Sequence, residues 1–322
     1  MSDRAVILAA DVGGTTTSVG LVDDRGEVLT QRMAPTRGNG LTVERIASLL
    51  EEVKREGDRQ GLEVEGIGIG IPGAIARARG RIGPDIHNLP ELANTPLRSL
   101  LQERFSLPVF LDNDVNALAL GEGYFGVARG IDNFALLAVG TGVGSGVVVN
   151  GRLVRGASGY GGEFGHIPLN LDGRACFCGS QGCLKAYVSG PDIAAQARER
   201  LQRRPSGLLW ERAGGNPERV DAEMVFQAAK AGDPLAAGLV EEVCRYLGAG
   251  LAAIINGLNP ELLILTGGVA ESLRDHFPEI SRWCHRYAFA GAISAAKLVC
   301  LSQDKRTSVR GAAALVLYEL GK

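Results

Sequence analysis

The sequence of 322 residues contains no apolar run near the ~20 residues that a membrane-spanning helix needs. It also lacks a basic surplus, since 34 Lys and Arg stand against 36 Asp and Glu for a net charge of −2. Nucleic acids and anionic membranes attract basic surfaces, so neither is expected as a partner. The first ten residues lack the basic segment, apolar run and cleavage site of a signal peptide. We therefore expect a cytoplasmic protein.

The common nucleotide-binding motifs are absent as well. Residues 11–16 and 140–146 are rich in Gly and Thr, but neither matches the P-loop, because no Lys follows. Neither fits the dinucleotide fingerprint, because each leads into a strand rather than a helix. Gly still lets backbone N–H groups approach a phosphate closely, so both segments are predicted phosphate loops, with Asp11 as a Mg²⁺ ligand. The predicted nucleotide contacts are Asp11, Gly13, Gly14, Thr15, Thr16, Gly140, Thr141, Gly142 and Gly144.

A cluster of carboxylates and amides follows the apolar segment at residues 108–111. Phosphoryl transfer to an alcohol needs a carboxylate near the attacking hydroxyl. Asp114 is the candidate base, and Asn113 would hold a neighbouring hydroxyl. The alternative is an ordinary polar helix start, in which an Asp or Asn acts as the N-cap. Asp112 suits that capping role, or a supporting position behind the site.

Three of the six cysteines are crowded together and follow a histidine. Cys176, Cys178 and Cys183 form a closed Cys₃His set with His166, which predicts a structural Zn²⁺ ion with no open coordination position. A disulfide is the alternative, but a cytosolic chain and an unpaired third cysteine argue against it. The metal would also fix Glu163, a candidate substrate-binding carboxylate. The other three cysteines are interpreted as buried packing residues: Cys244, Cys284 and Cys300.

Apolar runs and amphipathic segments alternate along the chain, which is typical of a layered α/β domain. The order strand, Gly/Thr loop, strand, tight turn and strand near residues 5–33 recurs near residues 134–154. We interpret this recurrence as a duplicated domain, and chance similarity of two hairpins is the alternative. The first amphipathic helix should have Thr42 as its N-cap. The predicted lobes are residues 1–112 with 308–322 packing back, and residues 113–307 with a zinc-binding segment at 163–185.

Together these motifs resemble the ROK family of sugar kinases and repressors. The resemblance runs along nearly the whole chain, and the cysteine segment is its most specific part. It implies a two-lobed, actin-like (ribonuclease H-like) ATPase fold with a sugar site between the lobes. It also implies ATP with Mg²⁺, a homodimer or homotetramer, and glucokinase-like transfer to the 6-hydroxyl of a hexose with Asp114 as the base. The implied sugar contacts are Gly73, Asn88, Asn113, Asp114, Glu163 and His166, with Gly267 and Gly268 near the adenosine.

Lys185 departs from the family pattern, which usually has a sugar-binding Glu two residues after the last cysteine. An ammonium group has no acceptor for sugar hydroxyls. The side chain could turn to solvent, leaving an impaired or altered glucose site. It could instead contact a different sugar, one with an anionic or modified group. In the third interpretation, the chain is a sugar-binding ROK protein with weak or no kinase activity.

Two other classes of protein compete with the kinase. A sugar-sensing repressor needs a DNA-reading domain, but the first strand begins near residue 5 and the chain is not basic. An ATP-dependent chaperone or filament protein could share the fold. Asn113, Asp114 and the cysteine segment argue against that second class. We therefore expect an enzyme that phosphorylates a small sugar.

Overall fold

The computed structural model describes residues 5–38, 41–76, 80–302 and 306–322. Its contacts divide the chain into two compact units. No helix in these four ranges is both long enough and apolar enough to cross a bilayer. Residues 113–132, which the sequence assigned to the second lobe, group by contact with unit 1. The units are unit 1 (Met1–Asp132, Gly146–Gly162 and Asp304–Lys322) and unit 2 (Asn133–Ser145 and Glu163–Gln303).

Unit 1 contains a five-stranded mixed sheet and a separate two-stranded ribbon. Its strands are β1 (Ala5–Val12), β2 (Thr16–Val22), β3 (Val28–Pro35), β4 (Glu63–Ile71), β5 (Ile75–Ala76), β6 (Arg81–Ile82) and β7 (Val109–Asn113). The sheet order is β3-β2-β1-β4-β7, and β5 pairs with β6. The first three strands form antiparallel hairpins, whereas β4 and β7 run parallel to β1. The parallel strands bring their carboxyl ends, and the residues that follow them, to one edge of the sheet.

Helices cover both faces of this sheet. They are α1 (Thr42–Arg59), α2 (Leu97–Phe105), α3 (Asp114–Phe125) and α12 (Thr307–Leu320). Because successive side chains of a strand point to opposite faces, Leu8 joins the core cluster with Leu50 of α1, while Ile7 packs with Val309 of α12. α12 also packs on α3, where a Cβ on Gly121 would lie 2.9 Å from the Cα of Gly311. Glycine at both positions therefore permits the close crossing of these helices.

The start of α1 differs from the sequence prediction. Leu41 is the extended residue before the helix, and no side chain caps the first turn. Thr42 lies inside the helix, and its Oγ1 donates a hydrogen bond of 3.1 Å to Glu91 Oε1. The predicted Thr42 N-cap is therefore wrong. A hydrogen bond to a carboxylate is stronger than one between neutral groups, and no sequence pattern near residue 42 indicates that residue 91 supplies this carboxylate.

The second sheet has the order β10-β9-β8-β11-β12. Its strands are β8 (Phe134–Val139), β9 (Val143–Val149), β10 (Arg152–Leu153), β11 (Leu262–Thr266) and β12 (Lys297–Cys300). β10 is antiparallel to β9, and β11 is parallel to both β8 and β12. The strand order thus repeats that of the first sheet, as the sequence recurrence indicated. The predicted α/β class is confirmed, and both five-stranded sheets are mixed.

Unit 2 is mostly helical beyond its strands. Its helices are α4 (Lys185–Val188), α5 (Gly190–Arg203), α6 (Leu208–Arg212), α7 (Ala222–Lys230), α8 (Pro234–Leu258), α9 (Gly268–Ser272), α10 (Phe277–Tyr287) and α11 (Ala290–Ala295). Asp233 caps α8 by accepting from Ala236 N at 2.9 Å, with Pro234 in the first turn. Asn259 ends it in the left-handed region at φ 44°. This largely buried helix packs against α7 and α10.

Candidate functional site

The first Gly/Thr loop joins β1 to β2 in unit 1. Gly13 N donates to Thr16 O at 3.0 Å, and a Cβ on Gly13 would lie 2.9 Å from that same oxygen. Thr36 Oγ1 donates to Gly13 O at 2.7 Å and so braces the turn from β3. Thr15 and Thr16 remain exposed. The loop is thus closed by internal hydrogen bonds and presents hydroxyl groups outward, as a phosphate-binding turn requires.

Asp11 lies on β1, just before this loop. Desolvation raises the pKa of its carboxyl group above the ordinary value, while a hydrogen bond with Ser308 lowers it. A carboxylate that has lost part of its hydration is stabilised by a nearby cation. The oxygen donor and its environment therefore fit the predicted Mg²⁺ ligand.

The predicted base lies at the junction of β7 and α3. Asn113 is the N-cap, and its Oδ1 accepts from Val115 N at 2.9 Å and from Asn116 N at 3.3 Å. Its Nδ2 donates to Gly73 O at 3.3 Å. Asp114 is the first residue of α3 and is partly exposed. The capping role weighed from the sequence thus belongs to Asn113. Of the two roles offered for Asp112, the N-cap is wrong and the supporting position is the one observed.

Asp112 holds this junction from behind. Its Oδ1 accepts from Asn113 N and from Asn116 Nδ2, each at 2.8 Å. Its Oδ2 accepts from Arg155 Nε at 2.5 Å, and Arg155 Nη2 donates to Glu319 Oε1 at 2.7 Å. The side chains of Asp112 and Arg155 are only 4% and 11% exposed. Sequence reasoning missed Arg155 and Glu319, because nothing in the local pattern links either residue to position 112.

Two further predicted sugar contacts of unit 1 lie beside these features. Gly73 has φ of 90°, and its carbonyl group accepts the hydrogen bond from Asn113. A Cβ on Gly14 would lie 3.2 Å from the Cβ of Asn88. The carbonyl of Asn88 also accepts from Arg37 Nη2 at 2.7 Å. The structure therefore places Gly73 with Asn113 and Asn88 with the first loop.

The second Gly/Thr loop is shorter than predicted. It spans residues 140–142, since β9 begins at Val143 and includes Gly144. Gly144 therefore does not belong to the loop, which corrects that prediction. Gly140 N donates to Gly142 O at 2.9 Å, and Gly140 O accepts from Gly190 N at 2.8 Å. Thr141 and Gly142 are exposed, and a Cβ on Gly140 or Gly142 would meet open space.

The glycines predicted near the adenosine lie at the start of α9. Gly267 has φ of 100°, and a Cβ there would lie 2.4 Å from Val139 O. Gly268 opens the helix, and a Cβ there would meet open space. Val139 directly precedes the second loop in the chain. Unit 2 thus brings the 267–268 turn against the strand end that carries this loop.

Glu163 precedes a turn of 3₁₀-helix at Phe164–His166. The turn packs on β9, because Phe164 N donates to Ser145 Oγ at 3.2 Å and a Cβ on Gly165 would lie 2.2 Å from Val143 O. His166 N donates to Glu163 O at 3.0 Å. Glu163 is exposed, but partial desolvation of its carboxyl group raises the pKa of that group. The fixed backbone therefore sets the positions of both predicted sugar-binding side chains.

The Cys₃His set converges in unit 2. The ligand atoms of His166, Cys176, Cys178 and Cys183 all lie within 4.8 Å of one another. Cys176 Sγ is 3.5 Å from His166 Nδ1, and Cys178 Sγ is 3.8 Å from Cys183 Sγ, so these thiols form no disulfide. A tetrahedral Zn²⁺ with bonds of ~2.3 Å to sulfur and ~2.0 Å to nitrogen gives edges of about 3.8 and 3.5 Å. The donor set and its spacing fit zinc.

Lys185 lies beside this cysteine segment. Its Nζ is 2.8 Å from Asp192 Oδ2 and 4.6 Å from the centre of the Phe177 ring. The Phe177 ring in turn makes an edge contact with His166, with centroids 5.3 Å apart. The Lys185 side chain is 13% exposed, so the interpretation in which it turns to solvent is wrong. Its ammonium group instead forms an ion pair with Asp192 within unit 2.

Comparison with known proteins identifies the family. The sequence matches the ROK family over residues 7–319. The chain belongs to the ROK family. The family prediction from the motifs is confirmed.

Several known proteins resemble this one over nearly the whole of this chain. A glucokinase from Thermotoga maritima is 35% identical, over 98% of this chain and 98% of its own length. The crystal structure of a ROK hexokinase from Thermus thermophilus has a TM-score of 0.82 and 33% identity, covering 98% of this chain and 99% of that one. A ROK glucokinase from Streptomyces griseus, solved with glucose and AMPPNP, has a TM-score of 0.79 and 30% identity, covering 96% and 98%. A xylose repressor from Caldicellulosiruptor bescii is 29% identical over 99% of this chain and 79% of its own length.

Proposed function

We propose that this ROK protein is a sugar kinase that transfers the γ-phosphoryl group of ATP to the 6-hydroxyl of a hexose or hexose derivative. The observation that carries the proposal is the β7–α3 junction, where the buried Asp112 accepts from the backbone of Asn113, and Asp114 follows as the first residue of α3. The glucokinase and hexokinase relatives supply the reaction class, because their similarity extends over nearly the whole chain. The fold alone would not assign the reaction, since proteins with one fold can have many different functions.

The unit 1 residues are proposed to activate the sugar hydroxyl group, to contact the sugar and to hold Mg²⁺. Asp114 accepts the proton as the hydroxyl oxygen attacks the γ-phosphorus, and the bond from that phosphorus to the departing ADP breaks. The amide of Asn113 uses one of its two N–H groups on Gly73, and the second can donate to a sugar oxygen. Asn88 and Gly73 complete the sugar contacts on this side. Asp11 would hold Mg²⁺, whose charge offsets that of the phosphates.

The unit 2 residues contribute to both substrates. The loop at residues 140–142 is proposed to donate backbone N–H groups to phosphate, and Gly267 and Gly268 would lie near the adenosine. Glu163 would accept from sugar hydroxyls. When His166 binds a metal through Nδ1, the proton resides on Nε2, which makes this nitrogen a donor to a sugar oxygen.

The zinc ion would act structurally in this scheme. Four protein ligands leave no open coordination position, so the ion would supply no step of the transfer. Its effect would be to fix the backbone between His166 and Cys183, because few buried apolar side chains lie in that segment. Glu163 and His166 would thereby keep the orientation that sugar binding needs.

Lys185 remains a candidate substrate contact that separates two versions of the proposal. Its ion pair with Asp192 could open toward a sugar with an anionic or modified group. Alternatively, the pair stays closed and Lys185 has only a structural role. A separate alternative is that the chain binds sugar with weak or no turnover. The homo-oligomer and the cytoplasmic location stay predictions from the sequence.

A sugar panel in a coupled assay of ADP formation tests the function. We expect ADP formation from ATP only when a hexose or hexose derivative is present, with glucose as the first sugar to try. A parallel arm with polyphosphate, read as sugar phosphate, identifies the donor. If neither donor is consumed with any sugar while sugars still bind by calorimetry, the chain is a sugar-binding ROK protein and the kinase proposal is wrong.

A further inference from the structure

A second cluster of metal-binding side chains lies in unit 2, apart from the Cys₃His set. Cys244 lies on α8, Glu279 lies on α10, and His276 directly precedes α10. Their ligand atoms all lie within 4.8 Å of one another. These residues have no part in the proposed phosphoryl transfer, and the sequence pattern predicts Cys244 only as a packing residue.

The geometry points to a second site for a divalent transition-metal ion such as Zn²⁺. We propose that Cys244, His276 and Glu279 bind this ion and leave one position for water. Thiolate, imidazole and carboxylate are the ligands that zinc takes in proteins, and three of them with an open position form an open zinc site. Binding would release the thiol proton of Cys244 to solvent.

The packing of α8 on α10 holds the three donors in place. Cys244 is 0% exposed and thus fixed in the helix interface. Glu279 Oε2 lies 3.6 Å from His276 Nδ1, while its Oε1 lies 3.5 Å from Arg282 Nη2. The guanidinium therefore engages one carboxylate oxygen and leaves the other beside the imidazole. A metal there would link two packed helices rather than order a loop.

The site also has a route for the ion to enter and a favourable charge. The side chain of His276 is 44% exposed, so the buried thiol lies beneath a solvent-accessible imidazole. Glu241 precedes Cys244 by three residues on α8, which places its carboxylate on the same side of the helix. The carboxylates of Glu279 and Glu241 both act on the Cys244 thiol, and Arg282 approaches only one oxygen of Glu279. This balance favours a cation over an anion.

The site should be weaker than the Cys₃His set, because it offers one thiolate instead of three. The test is the metal content of the full-length protein, by inductively coupled plasma and native mass spectrometry, after incubation with Zn²⁺ and removal of loose metal. We expect Cys244→Ser to retain one metal ion fewer than the wild type. Co²⁺ gives a second readout, because the variant should lose thiolate-to-cobalt charge-transfer intensity.

Matched controls separate the site from general damage. Cys284→Ser replaces another buried thiol, on α10, and His285→Asn replaces another histidine of that helix, so both should keep the wild-type metal content. If Cys244→Ser fails to fold, His276→Asn and Glu279→Gln decide the question, since both change partly exposed side chains. Equal metal content in the wild type and these two variants would overturn the proposal. The readout does not depend on kinase activity.

Discussion

The β7–α3 junction and the cysteine segment fix their candidate site residues by different physical means. At the junction, Asp112 is held by Asn116 of α3 and by Arg155, which lies 43 positions along the chain. In the cysteine segment, four ligands within a short stretch of chain converge on one point. One arrangement depends on buried charge, and the other would depend on a bound metal ion. We therefore expect loss of a metal ligand to disrupt the cysteine segment, and loss of a buried charge to disrupt the junction.

The largest effect should come from removing a metal ligand. We expect Cys183→Ser to lose the zinc ion and the sugar-dependent activity, because three remaining ligands cannot complete a closed Cys₃His site. Zinc content and ADP formation measure the two losses. Cys300→Ser, which changes a cysteine outside both ligand clusters, is the control and should behave as the wild type. Full activity in a zinc-free Cys183→Ser protein would show that the metal does not organise this region.

A smaller effect should follow from breaking the buried ion pair behind Asp114. Arg155→Met leaves the carboxylate of Asp112 buried without its cation, which typically costs about 3–5 kcal/mol of the free energy of unfolding. Urea denaturation measures this change. Arg32→Met removes a surface pair with Glu56, where about 0–1 kcal/mol is expected. Equal destabilisation by the two variants would contradict the account of the junction.

The smallest effect should come from the Lys185–Asp192 pair, which is mostly but not fully buried. Lys185→Met should lower the free energy of unfolding by about 1–2 kcal/mol, between the usual values for exposed and buried pairs. If the pair is only structural, Asp192→Asn should destabilise the chain similarly and neither variant should change the ranking of sugars. A changed sugar preference in Lys185→Met alone would assign Lys185 to substrate recognition.

The contrast between local and long-range contacts also explains which features could be predicted from the sequence. The candidate metal ligands could be identified from the sequence, because three thiols and an imidazole lie close together in the chain. The repeated order of strands could be read because each hairpin is local. Arg155 and Glu319 could not, since 164 positions separate two residues that meet only in the folded unit. The end of the second loop was misjudged because residues 143–146 include three small residues that suit a loop and a buried strand equally well.

The capping errors have a related cause. Asp112, Asn113 and Thr42 all have side chains that can cap a helix, and propensity alone does not choose among neighbouring candidates. Arg155 engages Asp112, and Glu91 engages the hydroxyl of Thr42. Asn113 remains as the cap of α3. Tertiary partners thus decided which of several suitable residues took the local role.

The kinetics of Asp114→Asn test the central claim most directly. The amide keeps the size of the side chain but cannot accept the proton, so kcat for the preferred sugar should fall by ~10²-fold or more. Sugar affinity, measured by calorimetry, should change little. Asp24→Asn, on an exposed turn of unit 1, should leave both quantities unchanged. A kcat near that of the wild type in Asp114→Asn would contradict the assignment of Asp114 as the base.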